Sequence, residues 1–174
     1  VYAWGNNNFN QAEVPFEINN VLQLETAVDI IAGDQYSAIL TNKGKLYAWG
    51  STLATRLDIV PSEFQGNIKK AVASSFNILL LDNNGKVGIM GQNGTPLETA
   101  MPEYIKDGSV QLVDLTVTLR TAAGIDKNGK LYVWGENFNE LLELPEGIEN
   151  AKITQVVAGR AHFMALDENG KLYA

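Results

Sequence analysis

One motif returns along the chain at nearly constant spacing, and a repeat of this length constrains the fold more tightly than composition does. Lys45-Leu46-Tyr47-Ala48-Trp49-Gly50 comes back as Lys86-Val87-Gly88-Ile89-Met90-Gly91 and as Lys130-Leu131-Tyr132-Val133-Trp134-Gly135. Val1-Tyr2-Ala3-Trp4-Gly5 opens the sequence with the same pattern, and Lys171-Leu172-Tyr173-Ala174 ends it. The Trp or Met positions 4, 49, 90 and 134 are 45, 41 and 44 residues apart. Ahead of each later motif runs an apolar stretch that aligns without gaps, at 32–40, 73–81, 117–125 and 158–166. Between stretch and motif stands a turn: Asn42-Lys43-Gly44-Lys45, Asn83-Asn84-Gly85-Lys86, Lys127-Asn128-Gly129-Lys130 and Glu168-Asn169-Gly170-Lys171. Glycine supplies the positive φ that such a turn needs, so each joins two antiparallel strands as a hairpin. Asp82, Asp126 and Asp167 open three of the turns. A carboxylate there can bond the turn backbone, and turn chemistry accounts for these residues without a ligand.

The flanking strands, such as 28–32, 37–40 and 46–49, carry apolar residues at both parities, so both faces of each small sheet need cover. An all-β chain with a unit near 40 residues and several short strands per unit fits a β-propeller segment of four repeat units. Parallel β-helices and leucine-rich repeats have shorter units and do not turn back through Asn-Gly hairpins. The units run approximately 1–44, 45–85, 86–129 and 130–170, cut at both ends at the same phase of the repeat. Trp4 is expected at the blade position of Trp49, Met90 and Trp134, with residues 1–4 as a strand. No amphipathic helix is expected. Further blades from the same longer chain, or from another copy, are expected beside the terminal units, because open strand edges invite pairing.

Composition narrows the chemistry. Twenty acidic against 13 basic residues give a net charge of -7, which repels phosphate backbones and argues against nucleic acid as a partner. No apolar run approaches the roughly 18 to 20 residues of a spanning helix, so no membrane insertion is expected. There is no cysteine and one histidine, which leaves no thiolate or multi-imidazole metal site, and no cofactor fingerprint is present. His162 aligns with Tyr36, Asn77 and Thr121; three different residues at one repeat position indicate packing rather than a catalytic base. The chain is therefore read as a non-enzymatic protein.

The variable segments carry the functional signal. Glu13, Asp58 and Glu143 each stand nine residues after their Trp, and Glu98 stands eight after Met90. In a propeller, equivalent positions ring one face, so these acids would form an arc. Phe9 and Phe138 add aromatic anchors beside them, a mixture typical of interfaces. Leu53, Arg56 and Leu57 occupy the corresponding stretch of the second unit. Phe9, Glu13, Asp58, Glu98, Phe138 and Glu143 are the expected contacts for a protein partner.

The string Ile31-Ala32-Gly33-x-x-Tyr36-Ser37-Ala38-Ile39-Leu40-Thr41-x-x-Gly44-Lys45-Leu46-Tyr47-Ala48-Trp49-Gly50, echoed by Val157-Ala158-Gly159-Arg160-Ala161-His162-Phe163, resembles the regulator of chromosome condensation repeat. The resemblance covers nearly the whole chain and implies a propeller that closes at about seven blades. After Trp-Gly, the first unit reads Asn7, Phe9, Asn10, Gln11, Val14-Pro15, and the fourth reads Asn137, Phe138, Leu144-Pro145. That short Trp-to-Pro spacing is similar to a bacterial branch that includes secreted β-lactamase inhibitors, which implies an extracellular or surface location. The wider family implies a second role, nucleotide exchange on a small GTPase. Met90 at a Trp position and Asn10 and Leu141 in place of the usual Gly or Gln depart from the pattern. A scaffold of this kind hosts many partners, so the resemblance fixes the fold more firmly than the function.

Overall fold

The computed structural model describes residues 1–52 and 56–174. Among the described residues, twelve strands form four separate three-stranded antiparallel sheets, each in sequence order. The first contains β1 (Ala27–Ala32), β2 (Tyr36–Thr41) and β3 (Leu46–Gly50). The second contains β4 (Ile68–Ala73), β5 (Asn77–Asp82) and β6 (Val87–Gly91). The third contains β7 (Leu112–Val117), β8 (Thr121–Asp126) and β9 (Leu131–Gly135), and the fourth β10 (Ile153–Ala158), β11 (Phe163–Asp167) and the two-residue β12 (Leu172–Tyr173). Among the described residues there are three short α-helices: α1 (Phe16–Val21) ahead of the first sheet, and α2 (Pro96–Thr99) and α3 (Glu103–Lys106) between β6 and β7 in the chain. Sequence periodicity misses these because none exceeds two turns, too short for an apolar stripe to repeat. The chain forms two compact units, one of Val1–Asn83 with Gly88–Asn93, the other of Asn84–Val87 with Gly94–Ala174.

The hairpins form as the Gly-Lys pattern requires. Gly44, Gly85, Gly129 and Gly170 all have φ between 66° and 85°. In the third sheet the Gly129 amide donates to Asp126 O at 3.0 Å, and the Asp126 amide donates to Lys130 O at 3.1 Å, a type I turn closed by a left-handed glycine. Asp126 Oδ1 accepts from the Asn128 and Lys130 amides at 2.8 and 3.0 Å, and Asp167 Oδ1 repeats this with Asn169 and Lys171 at 2.9 Å each. The turn lysines are occupied too. Lys45 pairs with Glu25 at 2.7 Å, while the Lys130 and Lys171 ammoniums lie 5.2 and 4.4 Å from the ring centres of Tyr132 and Tyr173.

A second recurrence links consecutive sheets. Every first strand carries a bulge after its first residue, at Ala27/Asp29, Ile68/Lys70, Leu112/Asp114 and Ile153/Gln155. The residue ahead of the bulge uses its N–H elsewhere: Ile68 donates to Gly44 O at 3.1 Å, Leu112 to Gly85 O at 2.9 Å and Ile153 to Gly129 O at 2.8 Å. The turn glycines therefore satisfy two demands, positive φ and close approach of the next strand. A Cβ built on Gly129 would stand 2.9 Å from Ile153 N and O, whereas one on Gly170 meets nothing within 4 Å.

Cores lie between sheets within each unit. In the first, Ile31, Tyr36, Ala38, Leu40 and Leu46 pack on Ile68, Ala71, Ile78, Leu80 and Met90, with Leu57 and Phe64 filling in. In the second, Ala123 and Ile125, with Leu131 and Val133, pack on Ile153, Val156, Ala165 and Tyr173. Gly88, where the four other copies of the motif have Tyr, makes room for the buried Phe64 ring, which would lie 2.4 Å from a Cβ. Trp49, Met90 and Trp134 are all buried at equivalent positions. Trp4 is the exception and corrects the sequence expectation: residues 1–4 form no strand and Trp4 is 88% exposed. The equivalent strands each pair with the strand just ahead of them in their sheet.

Candidate partner-binding surface

Antiparallel order sorts the loops of each sheet. The third strand begins at the Gly-Lys turn and ends at Trp-Gly or Met-Gly, so the post-Trp loop sits at the end opposite that turn. The corner between the first and second strands lies at the same end as the post-Trp loop. Three bonds tie corner to loop: Ser51 donates to Gln35 O, Gln92 to Phe76 O and Glu136 to Arg120 O, at 2.9 to 3.1 Å. The intervening glycines, Gly50, Gly91 and Gly135, have φ of 96°, 111° and 124°, and a Cβ on each would fall 2.7, 2.2 and 2.4 Å from those same corner carbonyls.

The corners obey a simple rule. Gly33 and Gly159 each lie under a ring three residues on, Tyr36 or His162, whose atoms would fall 2.3 and 2.2 Å from a Cβ. Where the later residue is Asn77 or Thr121, the earlier one is Ser74 or Thr118, whose Oγ accepts from the amide of its partner at 3.2 and 3.1 Å. The Tyr36 hydroxyl reaches Ser74 O at 2.8 Å and Asn77 O at 2.9 Å. Burial, reinforced by the Asp34 charge, pushes the Tyr36 phenol well above the usual tyrosine range, so it stays a donor. His162 keeps the stacking on Gly159 but is exposed, so its packing role is only partial.

The post-Trp loops of the first and fourth units are congruent. Asn7 Oδ1 accepts from the Ala12 amide at 2.9 Å, and Asn137 Oδ1 from the Leu142 amide at 3.0 Å. Asn10 and Glu140, three residues beyond, both have φ of 61°, a region that favours glycine. Glu13 and Glu143 follow at equivalent positions with amides bonded to Asn10 O and Glu140 O, and both are exposed. Asp58 is exposed, while Leu57 beside it is fully buried and Leu53 lies outside the described residues. Glu98 is half-buried and its carboxylate accepts from the Gly94 amide, so it holds the start of α2. Phe9 and Phe138 are both exposed. Glu13 and Asp58 belong to the first compact unit and Glu98 and Glu143 to the second.

Corner residues join this surface that the sequence analysis did not select. Phe76 and Leu119 are exposed apolar side chains, and Arg120 pairs with Glu136 at 3.1 Å. Leu119, Arg120, Phe138, Leu141 and Arg160 line a concavity of about 300 Å³ in the second unit. The signal was present in the two unmatched positions of Ala-Gly-x-x-Tyr, which read Asp34-Gln35, Ser75-Phe76, Leu119-Arg120 and Arg160-Ala161. Among the described residues no cluster of three or more His, Cys, Asp or Glu could hold a metal ion.

No family model matches the chain. It is 26% identical over 219 aligned residues, and over its whole length, to E3 ubiquitin-protein ligase HERC2 of Homo sapiens, of which it spans 4%. Over 79% of its length it is 24% identical to the RCC1-like G exchanging factor-like protein of Mus musculus, of which it spans 36%. Among solved structures, human WBSCR16 superposes with a TM-score of 0.71 at 13% identity, over 97% of this chain and 54% of that one. Yeast RCC1 (Prp20) bound to Kap60 gives 0.62 at 17%, over 86% and 43%. The Cps50 (Swd1) β-propeller domain of Myceliophteria thermophila gives 0.53 at 12%, over 98% and 57%. The four sheets are thus blades of an all-β propeller. Its units are RCC1-like repeats, and the chain spans only a small part of HERC2 and about a third of the mouse relative.

Proposed function

We propose that this chain is a non-enzymatic protein-interaction segment of a propeller, which binds a protein with a basic surface through the post-Trp loops and first-to-second-strand corners. One observation carries this reading: the repeated turn residues are used up in turn bonds and inter-sheet contacts, whereas the variable end exposes Phe9, Phe138, Glu13, Asp58 and Glu143. Specificity needs variation, and variation is concentrated there. Glu98 would contribute as a structural neighbour, its carboxylate being engaged with Gly94.

The test replaces Glu13→Gln, Asp58→Asn and Glu143→Gln together. Folding should be unchanged, since all three side chains are exposed, and partner capture should weaken most at low salt. Binding that survives this change but fails when Lys45, Lys86 and Lys130 are altered would place the partner on the turn end. A second reading, nucleotide exchange on a small GTPase, draws on the similarity to the RCC1-like G exchanging factor-like protein. Accelerated release of bound nucleotide by the chain would support it. Inhibition of a β-lactamase, which only the resemblance to the short-repeat bacterial branch implies, would be seen as slowed hydrolysis when the chain is added to the enzyme.

A further inference from the structure

The second compact unit carries a concavity whose chemistry differs from the acidic loops around it. The chain has three arginines, and two of them, Arg120 and Arg160, line this one hollow of about 300 Å³. They stand at the corners that follow β7 and β10, and the Leu119 amide joins those corners by donating to Arg160 O at 3.4 Å. The remaining walls are largely apolar, from Leu119, Phe138 and Leu141. Leu119 and Phe138 are exposed to solvent. The hydroxyls of the lining are already used, Thr118 Oγ1 on Thr121 O at 3.1 Å and Thr121 Oγ1 on Glu136 O at 2.6 Å.

Charge decides what such a hollow can take. Arg120 uses one guanidinium N–H on Glu136 at 3.1 Å, a pair whose two side chains are both in solvent and therefore screened. A guanidinium has five N–H donors in a planar fork that matches a carboxylate. Two arginines against one glutamate leave the lining one net positive charge, on a chain whose total is -7. A polyanion would also meet Glu140 and Glu143 of the same loop, whereas a single carboxylate reaches the arginines alone. An apolar side chain on the walls supplies affinity, and a carboxylate on the arginines supplies orientation.

We propose that this hollow receives a short acidic-apolar element of the protein partner: one aliphatic side chain on the walls of Leu119, Phe138 and Leu141, with a neighbouring carboxylate on Arg120 and Arg160. The inference rests on the protein-interaction reading and adds to it a spot of opposite sign. The partner is then held by its basic residues at the exposed acids and by this element at the corners of the second unit. A reversed charge at one spot fixes the register of a partner that uniform attraction would leave free to slide.

Peptide titrations followed by NMR test this. The acetylated and amidated peptide Lys-Lys-Asp-Leu-Asp-Lys-Lys, with an aspartate on each side of the leucine so that either chain direction places a carboxylate on the arginines, should shift the amide resonances of 119–121, 136–141 and 160–161. Read at those resonances, changing both aspartates to asparagine should weaken binding by roughly fivefold, although it makes the peptide more cationic, and changing the leucine to alanine should weaken it by at least as much. Arg120→Gln with Arg160→Gln should abolish the difference between the aspartate and asparagine peptides, and the fold is kept because both side chains are exposed. The peptide Lys-Lys-Gly-Gly-Gly-Lys-Lys reports on the acids alone: binding that is lost in the chain carrying Glu13→Gln, Asp58→Asn and Glu143→Gln supports the interaction reading whatever the fate of the hollow. Equal binding of the aspartate and asparagine peptides, shifts confined to other residues, or no shift at these residues up to about 5 mM peptide would overturn the inference.

Discussion

At the scale of single residues, the repeat is a set of small stereochemical demands, and the glycines separate them. Gly170 and Gly129 share the positive φ, but only Gly129 has the next strand against it. Gly170→Ala should cost about 1 to 2 kcal/mol from the left-handed backbone alone. Gly129→Ala should cost about 1 to 3 kcal/mol more, because the Ile153 backbone must yield. Equal shifts of the urea midpoint in the two variants would show that the inter-strand contact is not tight. Tyr36 adds a pH-dependent case. Burial first, and the Asp34 charge second, raise its phenol above the ordinary value, so the folded chain holds this proton more tightly than the unfolded one. That contribution is complete below the unfolded value near pH 10 and is lost as pH climbs above it. Tyr36→Phe should cost about 1 to 3 kcal/mol at neutral pH by taking the donor from Ser74 O. It should also flatten the fall in melting temperature above about pH 10; an unchanged alkaline slope would refute the assignment.

At the scale of elements, the strands and hairpins were legible because their signals are local. An Asn-Gly-Lys turn and an apolar run on each side specify a hairpin wherever they occur, and all four appeared where the repeat placed them. Trp49 and Trp134 were legible as core for the same reason, and Trp49→Ala or Trp134→Ala should each cost about 3 to 5 kcal/mol in chemical denaturation. Trp4→Ala should cost less than about 0.5 kcal/mol in dilute solution, since its ring is exposed. Sequence identity alone would have grouped all three. The difference is a strand that Trp4 does not have beside it, and pairing is not written in the motif. The short helices and the engagement of Glu98 were equally hidden: a single turn has no periodicity, and a carboxylate that caps the Gly94 amide looks in sequence like any loop acid. The corner residues Phe76, Leu119, Arg120 and Arg160 were visible only as unmatched positions, whose proximity to the post-Trp loops follows from strand direction.

At the scale of the molecule, the two ends of every blade have different economies of residues. One end repeats itself and satisfies its own side chains, through Asp126 and Asp167 on turn amides and Lys45 on Glu25. The other end varies and leaves rings and charges in solvent. The partition of recognition between those ends is the central claim, and hydrogen exchange on the chain bound to its captured partner tests it directly. The account predicts slowed exchange at amides of the post-Trp loops and corners, around Phe9, Glu13, Phe76, Leu119, Phe138 and Glu143, with the turns at Gly44, Gly85, Gly129 and Gly170 unchanged. Protection confined to those four turns would contradict it.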